Sequence, residues 1–221
     1  MHKLYQNIQV AVDVVIFTVK DGKLHVLLIQ MAKKPFYKWW AFPGGLIKKN
    51  ESLEESAKRV LYEKTGVKNV YLEQLYTFGD VRRDPFGRVL SCAYFALLPE
   101  APKNIRTTEK YLDVKFWPVE LLPPLAYDHD DVAQYALTRL RNKLEYSNIA
   151  WSLLTREFTL SELQGVYETI LGKKLDKRNF RKRVSELGMV EATGQKTNSG
   201  AYRPAELYRF KTRKTAMMKV L

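Results

Sequence analysis

Basic side chains on one predicted helix are the best candidates for binding a polyanion. With Phe180 set at 0° and each residue advanced by about 100°, Val184 and Leu187 stay within about 40° of it and form an apolar face. Cations and hydrogen-bonding groups occupy the rest of the helix: Lys177, Arg178, Asn179, Arg181, Lys182 and Ser185. Arginine can hydrogen-bond both acceptors of a guanine edge, and lysine suits phosphates. The pattern therefore predicts contact with DNA.

The net charge favours the same class of ligand. The 221 residues hold 37 Lys and Arg against 24 Asp and Glu, which gives a formal charge of +13. From residue 151 onward there are 15 Lys and Arg against 7 Asp and Glu, so the excess is densest in the last third. This gradient is typical of a polyanion-binding module, although a solvated basic face accounts for the charge alone equally well.

The elements predicted before and after this helix indicate the type of domain to which it belongs. Thr159 and Glu162 form a capping box that begins one helix, and Gly172 ends it. Asp176 caps the second, basic helix, which Gly188 ends. Two strand-like segments, 189–193 and 206–210, then bracket a loop over 194–204. Helix, short turn, helix and hairpin is the order of a winged helix-turn-helix, in which the second helix enters the major groove and Lys196, Arg203 and Arg209 suit phosphates.

The first two thirds of the chain read as a mixed sheet with helices. Residues 8–19 and the run that follows Gly22 predict a hairpin. A Ser52–Glu55 capping box begins a helix that ends near Thr65. Strand-like runs follow at 67–78, 89–98 and 111–117, and the pattern then turns helical over 130–146. We therefore expect an α+β protein with an effector-sensing domain at 1–146 and a winged helix domain at 147–221.

The first helix carries a recognisable pattern of residues. The spacing resembles the Nudix box, G-x5-E-x7-R-E-U-x-E-E-x-G-U, where U is aliphatic. Seven positions match: Gly45, Glu51, Arg59, Leu61, Glu63, Gly66 and Val67. The resemblance implies a Nudix fold over roughly residues 5–146. In that family the box glutamates hold Mg²⁺ and assist hydrolysis of a nucleoside diphosphate linkage.

The match to the Nudix box fails at two of the positions whose glutamates would bind Mg²⁺. Glutamates at i, i+3 and i+4 share one helix face and can ligate a hard cation, but these positions hold Val60, Glu63 and Lys64. A lysine there repels Mg²⁺, so we expect no catalytic residue and no required cofactor. Mg²⁺, on Glu51 and Glu63, would matter only to residual hydrolase activity. We hypothesise that Lys64 replaces the metal as a fixed positive charge, directed at Glu63 or at an anionic ligand. The alternative is a purely structural helix in which Glu63 pairs with Arg59 or Lys64.

The whole chain resembles the Nudix-related transcriptional regulators of the NrtR type, whose relatives respond to ADP-ribose or to sugars such as L-arabinose. Matching segments lie at 78–80, 83–85, 88–89, 127–129, 158–164, 175–183 and 203–208. The resemblance implies a homodimer on a pseudo-palindromic operator, controlled by a metabolite in the Nudix cleft. Arg82, Arg83 and Arg88, together with Lys64, are the expected ligand contacts. His129 is either a hydrogen-bonding relay or a local cap.

Two other functions stay open at this stage. Intact Glu51 and Glu63 favour an active hydrolase of ADP-ribose or a related nucleoside diphosphate. A basic RNA-binding protein is less favoured, because the exposed face of 176–188 is charged rather than aromatic.

The longest apolar run, at residues 10–17, is interrupted by Asp13 and is too short to cross a membrane. A single cysteine and three histidines exclude a zinc cluster, and we expect a cytoplasmic protein.

Overall fold

Seven strands build the sheet of the computed structural model, which describes residues 7–103, 105, 107, 110–197 and 204–220. Five strands lie in the order β3-β2-β1-β6-β5, while β4 pairs with β1 and β7 pairs with β2. The strands are β1 (Gln9–Lys20), β2 (Lys23–Met31), β3 (Trp40–Ala41), β4 (Gly44–Leu46), β5 (Tyr71–Phe78), β6 (Val89–Leu98) and β7 (Tyr111–Pro118). Most of β1 and β6 is buried. Burial on both faces explains their continuous apolar sequences.

Among the described residues, four α-helices and a second, two-stranded sheet complete the fold. The helices are α1 (Leu53–Thr65), α2 (His129–Tyr146), α3 (Leu160–Leu171) and α4 (Lys177–Leu187). Single turns of 3-10 helix lie at Val119–Leu121 and Ile149–Leu153. The small sheet pairs β8 (Val190–Lys196) with β9 (Glu206–Phe210) in antiparallel fashion. The sequence of α3, α4 and hairpin confirms the predicted order of a winged helix.

The capping predictions are confirmed residue by residue. Ser52 and Thr159 each accept a hydrogen bond from the backbone N–H three residues later, and the carboxylate of the glutamate there accepts one from the backbone N–H of the capping residue. Asp176 caps α4 in the same way through the backbone N–H of Asn179. Gly66 and Gly172 end their helices in the left-handed conformation, which glycine adopts without steric cost.

Two strand boundaries differ from the sequence prediction by more than one residue, and two short strands were not predicted. The strand expected from residue 67 begins at Tyr71, because Val67 bonds back to the Thr65 hydroxyl and Asn69 has a positive φ of 56°. The strand expected to end at Thr193 continues to Lys196. The short strands β3 and β4 were not predicted, because Pro43 and two glycines around them read as a loop.

The chain forms two compact units. The first contains residues 7–17, 25–97 and the described part of 101–137, and the second contains 18–24, 98–100 and the described residues from 138 onward. This division falls within α2, and the domain boundary at 146/147 stays a prediction. In the second unit the core is aromatic: Tyr167 lies 5.3 Å from Phe180, and Phe158 lies 5.0 Å from Phe210, between ring centroids. None of the described helices is long and apolar enough to span a membrane.

Candidate functional site

A cavity of about 200 Å³ lies in the first unit, between strands β1, β2 and β4, the loop at residues 79–88 and the start of α2. Its walls combine apolar side chains from the sheet with charged and hydroxyl groups from the loops. The polar lining residues are Asp13, Arg83, Asp84, Lys110, Tyr111, Tyr127 and His129. Such a concave site with a few convergent polar groups is typical of a small-ligand pocket.

A network of buried charges forms one wall of this cavity. The Arg83 guanidinium donates to both carboxylate oxygens of Asp128, over 2.8 and 2.7 Å, and lies 3.6 Å from Asp13. The Ser91 hydroxyl donates to Asp13 over 2.5 Å. Only 3% of the Arg83 side chain is exposed. A bidentate pair of this kind fixes the orientation of both partners.

The charge state of Asp13 follows from this network. Burial by itself raises the pKa of its carboxyl group, but neighbouring His129 and the hydrogen bonds it receives oppose that effect. The nearby Arg83 acts in the same direction, so the pKa of Asp13 lies below its ordinary value. Asp13 is therefore a permanent negative charge in the wall of the cavity at neutral pH.

His129 is a positioned hydrogen-bonding group. The backbone N–H of Phe42 donates to its Nδ1 over 2.9 Å, so that nitrogen carries no proton. The other ring nitrogen, Nε2, lies 3.5 Å from Asp13. His129 thus links the segment after β3 to the start of α2, and its role as a relay or as a local cap stays a prediction.

Gly44 allows the backbone to approach Asp13. The two residues are directly paired in the β1–β4 ladder. A Cβ on Gly44 would lie 2.7 Å from the carbonyl oxygen of Val12 and closer still to Oδ1 of Asp13. Sequence reasoning missed Asp13 as a functional residue, although a carboxylate in the middle of an apolar strand beside a Gly-Gly pair was a usable signal.

The Nudix-box helix holds its remaining acidic residues in ion pairs. Arg59 donates to both oxygens of Glu51, over 2.6 and 2.9 Å, and lies 3.5 Å from Glu63. The Arg59 hydrogen bonds are the main reason that the pKa of Glu51 falls to about 2. Val60 is buried. No group of three His, Cys, Asp or Glu residues in the described part of the chain is arranged to hold a metal ion. The two remaining box carboxylates, Glu51 and Glu63, thus both lie beside Arg59, and the expectation that no metal is required stays a prediction.

Lys64 lies under an aromatic ring. Its Nζ is 4.1 Å from the ring centroid of Tyr111, and only 5% of the residue is exposed. Burial lowers the pKa of this amine. Tyr111 lines the cavity and separates Lys64 from it, whereas Lys110, on the same segment, is exposed and reaches the lining itself.

The three loop arginines have different surroundings. Arg83 lines the cavity. Arg88 donates to the backbone carbonyls of Gly79 and Asp80, over 2.9 and 3.1 Å, and so holds the loop closed. Arg82 is exposed, and only its backbone N–H bonds to Asp80, over 2.7 Å. The structure thus brings one of the three to the cavity wall, and their roles as ligand contacts stay predictions.

The basic face of α4 has the exposure that the helical wheel predicts. Phe180 and Val184 are 3% and 1% exposed. The six residues expected to contact DNA are all exposed: Lys177, Arg178, Asn179, Arg181, Lys182 and Ser185. Most of this face is open, although Arg181 lies 3.4 Å from the Ser161 hydroxyl and Lys182 lies 3.9 Å from Glu186.

The hairpin after α4 carries fewer free cations than expected. Lys196 is exposed at the end of β8. Arg209 is bound to Glu191 over 2.7 Å, which reduces its availability to a phosphate. Arg203 lies outside the described residues.

The turn between α3 and α4 is tied by a carboxylate that the sequence did not single out. Glu168 accepts hydrogen bonds from the Leu175 backbone, the Gln164 side chain and Lys174, over 3.0, 2.9 and 2.9 Å. These bonds, led by that of Leu175, lower the pKa of Glu168 to about 2. Glu168 therefore ties the turn at Lys174 and Leu175 to α3.

Comparison with known proteins identifies both units. Residues 7–138 match the NUDIX domain, and residues 150–210 match the NrtR DNA-binding winged helix domain. The ADPR responsive transcriptional repressor NtrR of Acinetobacter baylyi is 41% identical over 211 residues, which are 93% of this chain and 83% of that protein. The chain belongs to the NrtR family. This confirms the resemblance drawn from the sequence motifs and the predicted fold class.

Solved structures of NrtR family members support the same assignment. Shewanella oneidensis NrtR in complex with a 27mer DNA is 40% identical, with a TM-score of 0.81 over 91% of this chain and 93% of that chain. The NUDIX domain of the same protein, in complex with ADP ribose, is 38% identical, with a TM-score of 0.55 over 63% of this chain and 93% of that one.

Proposed function

We propose that this member of the NrtR family is a transcriptional repressor whose DNA binding is controlled by ADP-ribose. The observation that carries the proposal is the exposed basic face of α4 within a winged helix, in a chain whose other unit holds a polar ligand cavity. The relatives support it, because one is an ADP-ribose-responsive repressor and another was crystallised with DNA.

The chemistry of α4 suits base recognition. Arg178 and Asn179 are exposed near the N-terminus of the helix, where residues of a recognition helix contact base edges. Lys177 and Lys182 add flexible charges that suit phosphates. One such helix reads few base pairs, so we propose that the chain binds as a homodimer to two half-sites.

The cavity suits a ligand that is both a polyol and an anion. Asp84 presents a carboxylate that can accept hydrogen bonds from ribose hydroxyls, while Lys110 offers a cation for the diphosphate. The charge of Arg83 is largely offset by Asp128 and Asp13, so this guanidinium orients the wall more than it attracts phosphate. ADP-ribose carries both features, and the NUDIX domain of S. oneidensis NrtR was crystallised with it.

We propose that the cavity binds this ligand without hydrolysing it. Val60 is buried and Lys64 lies beneath Tyr111, so two of the three positions that would carry metal-binding carboxylates hold an aliphatic group and a cation. Glu51 is engaged by Arg59. Mg²⁺ is accordingly not required for either binding event.

Fluorescence anisotropy tests the proposal directly. The full chain is titrated onto the duplex from upstream of its own gene and onto a scrambled duplex at physiological salt, and ADP-ribose, L-arabinose and other pentoses are then added. We expect selective binding that ADP-ribose reverses. If a pentose reverses binding and ADP-ribose does not, the effector is the pentose. Equal affinity for both duplexes would refute the repressor function. Release of AMP from ADP-ribose in Mg²⁺ would instead establish a hydrolase.

Matched variants connect the response to the cavity. Lys110→Gln removes the proposed diphosphate contact, and Lys49→Gln removes an exposed cation that does not line the cavity. We expect the first to raise the ADP-ribose concentration needed for release about tenfold, which corresponds to the loss of one charge-assisted contact. Both variants should bind the operator as the parent does. An unchanged response in Lys110→Gln would remove this residue from the site.

A further inference from the structure

The last described residues form a segment that the family comparison does not cover. The winged helix match ends at residue 210, whereas the chain continues to residue 220 in the structure. We call residues 214–220 the C-terminal strap. Although it contains no regular helix or strand, Val220 near its end is fully buried. A segment that buries an apolar side chain at its far end is docked onto the domain.

The strap is bonded along its length to the end of α2. The backbone N–H groups of Met218 and Val220 donate to the carbonyls of Tyr146 and Glu145, each over 2.8 Å. Asn148, which is 1% exposed, donates through its side chain to Lys214 over 3.1 Å and accepts from Ala216 over 2.8 Å. These buried amide bonds fix the path of the strap.

The other side of the strap meets α4. The Arg183 guanidinium donates to the backbone carbonyl of Lys219 over 2.5 Å. Val220 and Arg183 line a cavity of about 330 Å³ together with Asn179 and Phe180 of the same helix. Arg183 thus belongs to the basic helix by sequence, yet it contacts the strap, and 41% of its side chain is exposed.

These contacts connect the recognition helix to the end of α2 through a third segment. Flexible lysine contacts to phosphate tolerate a displaced helix, because they depend chiefly on charge. Bidentate contacts between arginine and a base edge do not tolerate it, because both hydrogen bonds require a fixed geometry. A support that acts on the position of α4 therefore affects sequence discrimination more than general affinity for DNA.

We propose that the C-terminal strap positions α4 for base recognition and that Arg183 is a positioning residue, acting through the Lys219 carbonyl without touching DNA. The proposal rests on the DNA binding proposed above. It assigns Arg183 a role distinct from that of the exposed Arg178 and Arg181. It also extends the functional winged helix beyond residue 210.

The test compares operator with scrambled duplex across a salt series, using the full chain and single variants. Arg183→Ala removes the bond to the strap, and Arg183→Lys keeps a donor for the carbonyl. Lys219→Ala is the matched control, because it removes an exposed charge while the carbonyl acceptor remains. Val220→Ala instead removes buried side-chain atoms of the strap beside α4. Urea unfolding midpoints of all four variants establish that they are folded.

We expect Arg183→Ala to reduce the operator-to-scrambled affinity ratio about tenfold, as for the loss of one base contact, and Val220→Ala to reduce it in the same direction. The salt dependence should stay at the parent value in both. Arg183→Lys should restore much of the ratio, and Lys219→Ala should retain it.

Other results would overturn the proposal. An unchanged ratio in Arg183→Ala and Val220→Ala would remove the strap from recognition. An equal loss on both duplexes with a salt slope smaller by about 1 would make Arg183 a phosphate contact. A parent chain that does not discriminate between the duplexes would refute the proposed repressor function itself, and the strap proposal would fall with it.

Discussion

Gly44→Ala is the substitution whose consequence can be worked out most fully from the structure. The added Cβ would lie 2.7 Å from the Val12 carbonyl oxygen and closer still to the Asp13 carboxylate. The Val12 oxygen belongs to the backbone of β1 and cannot rotate away, so β4 must move off β1. Asp13 must also move, which disturbs its 2.5 Å hydrogen bond from Ser91.

Two costs combine in this variant. Overfilling a packed site costs about 1–3 kcal/mol, and disturbing the hydrogen bond of a buried carboxylate costs about 1–3 kcal/mol more. We expect a loss of about 2–6 kcal/mol in the free energy of unfolding of the first unit, with weaker binding of ADP-ribose because the cavity wall shifts.

Gly45→Ala is the matched control, since no heavy atom lies within 4 Å of the Cβ it would add. Both substitutions reduce the conformational freedom of the unfolded chain equally, so the difference between them isolates the steric cost. The assay is urea unfolding followed by tryptophan fluorescence, which reports on Trp40 and Trp117 near β2. Equal midpoints for the two variants would refute the reasoning, because they would mean that β4 accommodates a methyl group beside Asp13.

Three further predictions use other parts of the molecule. Arg83→Ala leaves the buried Asp13 and the partly buried Asp128 without their shared guanidinium and should cost about 3–5 kcal/mol in thermal or urea unfolding, whereas an effect near zero would mean that water replaces the guanidinium. Glu168 has a folded pKa of about 2 against an ordinary 4.5, so its stabilising effect is complete above pH 4.5 and is lost as the pH falls towards 2. Glu168→Gln should therefore unfold more easily than the parent at pH 7, and the difference should vanish near pH 2; a difference that does not change with pH would contradict this. Arg178→Ala should cost about 1–3 kcal/mol on the operator and relax discrimination at one position, whereas Lys196→Ala should weaken binding to operator and scrambled DNA alike. The anisotropy titrations above distinguish these two patterns. Equal losses on both duplexes for Arg178→Ala, with a loss on the operator alone for Lys196→Ala, would show that the residues assigned to base recognition are wrong.

Local features of the sequence were sufficient for the helices and for the type of each unit. A capping box involves residues three apart, as at Ser52 and Thr159, and a helix face is determined by a spacing of a few residues. The exposure of the basic residues on α4 could be predicted for that reason, because Phe180 and Val184 define the buried side without reference to the rest of the fold. The Nudix-box spacing is equally local, and so was the observation that Val60 and Lys64 replace carboxylates.

Contacts between distant residues were decided only by the tertiary structure. Arg82, Arg83 and Arg88 are equivalent candidates in sequence, yet only Arg83 meets Asp128, 45 residues away. The hydrogen bond between Ser91 and Asp13 spans 78 residues, and the one between Arg183 and the strap spans 36. Such pairs depend on strand register and on how elements pack, and neither is encoded in the spacing of neighbouring residues. The sequence by itself therefore determined the helices, the longer strands and the exposed face of α4, whereas the short strands β3 and β4 and the partner of each buried charge follow from the packing of the folded chain.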